Sequence, residues 1–154
     1  MIFIVGVNNH YIQYVKREKM YSAEFENCLV DKINKHSISL VAEELSKEAI
    51  DNRKHAIDSV ARVTALSTSR KHLYADPDSK ERELLRIPKD TLTCSDEDKA
   101  KYNRIREKEW LSRIKNQSCP NVLFICGCNH VDSFDSLLRN EGHQVKVLST
   151  NYGI

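Results

Sequence analysis

Two rhythms of apolar positions run along the chain. Val122–Cys126 is an unbroken apolar run, Gly127-Cys128-Asn129-His130 interrupts it, and Val131, Phe134, Leu137 and Leu138 then recur at helical spacing. Gly142 stops that helix, and Gln144–Ser149 alternates through Val145, Lys146 and Val147, so the stretch predicts strand, turn, helix and strand. A unit of this kind crosses over within a parallel sheet, where ligand sites lie at the carboxyl ends of the strands. His130 stands at such an end.

Ile2–Val5 is apolar without alternation, as in a strand covered on both faces, and is predicted to end in the turn Gly6-Val7-Asn8-Asn9-His10. The pattern of Tyr11–Val15 fits a helix start and an extended loop equally. Ser22 is a candidate N-cap for a helix to about Lys35, with Phe25, Leu29, Val30 and Ile33 on one face. Ile38–Ala42 predicts a strand that ends at Glu43-Glu44. From Ser46 to about Ser67, Ile50, Ile57, Val60, Val63 and Leu66 form an incomplete apolar stripe, read as one helix interrupted near Asn52.

His72–Ala75 predicts a third strand before the stop signal Asp76-Pro77-Asp78. Ser79–Ile87 predicts a helical turn and Pro88–Cys94 a loop. Ser95 caps a helix to about Lys115, marked by Tyr102, Ile105, Trp110, Leu111 and Ile114. The whole is one α/β domain over residues 1–154: three layers, with a mainly parallel sheet of about five strands flanked by helices.

Composition narrows the function classes. Charged residues are 30% of the chain against 40% apolar, the balance of a folded and not a disordered domain. The formal net charge is +2, and the basic residues interleave with acids (Lys80-Glu81-Arg82-Glu83), so no nucleic-acid partner is expected. The apolar N-terminus is a core strand and neither a signal peptide nor a membrane span, so no membrane association is expected. Five cysteines, an odd number in a domain of 154 residues, fit a reducing cytoplasm.

In a doubly wound sheet the strand ends share one edge, so His10, Glu43, Glu44, Asp76 and His130 are expected to gather there. For Asp76 the plain reading, a loop acid after a strand, is preferred. Glu43 and Glu44 suit a general base, a metal ligand or the acidic first turn of a helix equally. Arg106 and Glu107, one turn before Trp110, read as a solvated helix face with an aromatic anchor. Cys126 reads as core, and Cys128 is open between a loop position and a zinc ligand.

The motifs Gly6-Val7-Asn8-Asn9-His10, Ala42-Glu43-Glu44, Arg106-Glu107 and Gly127-Cys128-Asn129-His130 occur in the order seen in the erythromycin-esterase-like, ChaN-like and TraB/Tiki superfamily, which the chain resembles in this GxxH pattern. The resemblance covers both ends of the chain. It leaves Ser46–Asp96 largely unmatched, and the first motif has three residues between glycine and histidine where the TraB form has two.

The resemblance implies a hydrolase of an ester or amide bond, acting on a small-molecule or peptide substrate, with His10, Glu43, Glu44, Arg106, Glu107 and His130 around one pocket. It implies either a histidine base or a divalent metal ion, for which His10, Glu44 and His130 form an open three-ligand set. The alternative from another class is a binding or sensor domain for a small molecule such as a nucleotide or haem. No G-x-G-x-x-G or P-loop fingerprint follows any strand. A third possibility is an adaptor working through its long charged helices.

Overall fold

Runs that are apolar at every position become the inner strands of a sheet covered on both sides. The computed structural model describes residues 1–16 and 23–153. Strand β1 is Ile2–Val7, followed by a 3-10 turn His10–Gln13, β2 Tyr14–Lys16, α1 Ala23–Lys35 and β3 Leu40–Glu43. Then come α2 Lys47–Asp51, β4 Ala56–Ser59, α3 Val60–Ser67, β5 Lys71–Tyr74, α4 Ser79–Leu84 and α5 Asp96–Asn116. The chain closes with β6 Val122–Gly127, a 3-10 turn Cys128–His130, α6 Val131–Asn140 and β7 Val145–Tyr152.

Five strands form one sheet in the order β5-β3-β6-β1-β7, and every neighbouring pair is parallel. The expected three-layer α/β architecture is therefore present. Ile2, Ile4, Leu40, Ala42, Val122 and Phe124 face α5 and α6, burying Trp110, Phe134 and Leu138. The alternate positions Phe3, Val5, Val41, Leu123 and Ile125 face α1 and α3, burying Phe25, Leu29, Ile33 and Val60. Alternation across the pleat thus splits one sheet between two cores.

Several boundaries differ from expectation. β1 does not stop before Gly6 but runs through it, because Gly6 and Val7 still pair with Cys126 and Gly127. Residues 46–67 are not one interrupted helix: the chain leaves α2 at Asp51, and Ala56–Ser59 pairs antiparallel with β2 as a small second sheet. Ile57, counted in the helical stripe, is exposed on that strand. Tyr11–Val15 holds both forms, a 3-10 turn and then β2. The Ser22 cap lies outside the described residues. Among the described residues no helix is long and apolar enough to cross a membrane.

Candidate functional site

At the carboxyl edge of the sheet a cleft of about 890 Å³ opens between the ends of β1, β3, β5 and β6 and the segment carrying α4. Its walls include His10, Glu44, Asp76, Arg82, Arg106 and Cys128. The volume falls in the range of small-molecule sites.

The pleat separates the two adjacent glutamates. Glu44 continues the β3 line, its N–H donating to the Ile125 carbonyl at 2.8 Å, and its side chain reaches the cleft. There Oε2 accepts the Gly127 N–H at 2.8 Å, and Oε1 accepts Arg106 Nη2 at 2.7 Å. His130 Nε2 stands 3.4 Å from Oε1. Glu43 turns to the opposite face, fully buried, where Oε1 accepts the Ser59 hydroxyl and lies 2.7 Å from His72 Nε2. Its Oε2 is buried without a hydrogen-bond partner among the described residues. Glu43 thus ties β3 to the start of α3 and to β5, and does not line the cleft.

Arg106 is the hub of the cleft floor. Its Nε donates to Asp76 Oδ1 at 2.9 Å while Nη2 holds Glu44, and Nη1 makes no hydrogen bond among the described residues. Asp76 also accepts Trp110 Nε1 at 2.9 Å and pairs with Arg82. Burial alone would push the Asp76 carboxyl up, but the Arg106 and Arg82 guanidiniums, with hydrogen bonds from Arg106 and Trp110, hold it below the ordinary carboxylate range. Burial alone would push the Arg106 guanidinium down, yet Glu44 and Asp76 raise it above its ordinary value.

His130 ends the 3-10 turn after β6, behind this floor. It is 3% exposed and does not line the cleft. Nδ1 lies 2.9 Å from Glu107 Oε1, which also accepts the Ser133 hydroxyl at 2.6 Å, and the ring meets Trp110 edge-on at 5.0 Å. Both ring nitrogens thus face carboxylates. Glu107 and Trp110, expected on a solvated helix face, are fully buried, because α5 lays that face against β6 and α6.

Neither family models nor curated proteins nor solved structures give a match to this chain.

His10 is exposed at the cleft wall, stacked on Tyr11 at 4.3 Å. The proposed metal set of His10, Glu44 and His130 does not come together. Among the described residues no group of three or more histidine, cysteine, aspartate or glutamate side chains is placed to hold a metal ion. The physical reason is competition: Glu44 is taken by Arg106 and Gly127, and His130 by Glu44 and Glu107. Among the described residues no set of three such donors gathers around Cys128 either. Its thiol lines the cleft 3.8 Å from Asn8 Oδ1, whereas Cys126 is core, with burial pushing its thiol well above the ordinary value.

One contributor is undervalued by the sequence reading and another escapes it. Asp76 is visible as a strand-end acid but is indistinguishable there from a loop residue, and Arg82 stands in a run of alternating charge that reads as solvated.

Proposed function

We propose that the chain is a hydrolase whose cleft binds a small-molecule or peptide substrate and cleaves an ester or amide bond without a metal ion. The observation that carries this reading is the division of labour around Arg106. Two of its nitrogens are held by Glu44 and Asp76, which leaves Nη1 for an oxygen that becomes negative during reaction.

His10 is the imidazole that lines the cleft and makes no hydrogen bond among the described residues, so it is the base toward water. It takes a proton from water as the oxygen attacks the carbonyl carbon, Arg106 stabilises the oxyanion, and the protonated imidazole returns the proton to the leaving group. Glu44 and His130 act as positioning residues: His130, fixed by Glu107, backs Glu44, and Glu44 and Asp76 set the Arg106 fork.

The test is hydrolysis of a panel of aryl esters, peptides and amides by the parent and by His10→Ala. Loss of a general base predicts a fall in kcat/KM of at least about 100-fold with an unchanged melting temperature. Equal turnover by both proteins, or none by the parent on the whole panel, rejects the reading.

A further inference from the structure

A second concavity of about 640 Å³ lies at the opposite end of the sheet, lined by Asp31, Lys32, Lys35, His36, Lys146, Val147 and Leu148. Parallel topology places it there. The last turn of α1 and the second residues of β1 and β7 all lie at the amino ends of the strands, and Phe3 is the register partner of Lys146. His36 stacks on Phe3 at 4.5 Å between ring centroids, so the imidazole sits between the lysines of the helix and that of the strand.

Lys32, Lys35 and Lys146 make no ion pair among the described residues, although Asp31 stands four residues before Lys35. The carbonyl end of α1 supplies about half a negative charge. With Asp31 added, the groove still holds between one and two uncompensated positive charges. Its field is visible in His36: partial burial, then Lys146, Lys35 and Lys32, hold the imidazole below the ordinary histidine value.

We propose that this groove is a binding site for the phosphate group of a small molecule, a phosphomonoester or diphosphate, separate from the cleft at the carboxyl edge. A compact dianion suits a concave surface lined by three lysines from two elements, with Val147 and Leu148 as an apolar wall for the rest of the ligand.

The experiment is an NMR titration of the His36 ring in the full chain with inorganic phosphate, pyrophosphate and glycerol 3-phosphate, against sodium chloride at matched ionic strength. A bound dianion offsets the lysine field, so each phosphate raises the His36 pKa along a saturable curve that chloride does not reproduce. The Lys32→Glu/Lys146→Glu variant, changed only at helix and strand surface positions, weakens phosphate affinity at least about tenfold. Equal effects of chloride and phosphate mean screening alone and overturn the proposal. So does an undiminished response in the double variant, or binding to vesicles containing phosphatidic acid with no response to the soluble phosphates. Hydrolysis by the parent is read separately, so this test stands apart from the assignment of the cleft.

Discussion

Replacing Asp76 by alanine is expected to lower the unfolding free energy by about 3–5 kcal/mol, because it breaks a buried ion pair from one side only. The carboxylate accepts Arg106 Nε and Trp110 Nε1 and pairs with Arg82. Without it, among the described residues Arg106 keeps only Glu44 as a charged partner, while the Trp110 indole N–H is left with none. For a domain of this size such a loss corresponds to a fall in melting temperature on the order of 10 °C.

The effect carries its own pH signature. The folded Asp76 carboxyl titrates below its unfolded value, so its contribution is fully present above the unfolded pKa and is lost as pH falls through the folded one. Urea unfolding of parent and variant should therefore differ most near neutrality, with the gap closing in acid. Coincident curves at neutral pH would refute the role assigned to Asp76.

Gly6→Ala is expected to cost about 3 kcal/mol, at the upper end of overpacking effects. A methyl group at Gly6 would meet the Thr150 carbonyl oxygen and the Val131 side chain, with the Thr150 carbonyl carbon at 2.9 Å. At this point β7 departs from regular register with β1, between Val5 and Val7, and brings its backbone over Gly6. Relief requires β7 or the start of α6 to move, and α6 follows directly from the turn that holds His130. Gly142→Ala provides the contrast. A methyl group there would meet no atom within 4 Å beyond its chain neighbours among the described residues, and only the φ of +83° is unfavourable, so about 1 kcal/mol is expected. Thermal unfolding that ranks the two variants in the reverse order would contradict this account of Gly6.

Gly6 also shows what the sequence can and cannot carry. As a glycine after an apolar run it reads as a turn, yet it is a strand residue kept small by a neighbour distant in sequence. The inner strands, α5 with its Ser95 cap and the closing β6, α6 and β7 were legible because each obeys its own period. The pair β2 and β4 was not, since β2 has only three residues, β4 lacks the apolar run that marks β3, and Ile57 fell in step with a helical stripe.

The candidate site was half legible for the same reason. Strand ends place Glu44, Asp76 and His130 in sequence, and the pleat forbids Glu43 and Glu44 from sharing a face, but only coordinates say which one meets the cleft. That His130 would be enclosed by two carboxylates depends on the docking of α5, which local pattern does not encode.

The central position of β6 bears on how the protein is made. β1 and β3 do not touch in the sheet; each lies against β6, which comes from residues 122–127. During synthesis both earlier strands emerge with an inner rim of amides and carbonyls that no preceding segment satisfies. The ribosome thus releases an open half-sheet, exposed to mispairing and to chaperones, until the strand that joins β1 to β3 leaves the tunnel.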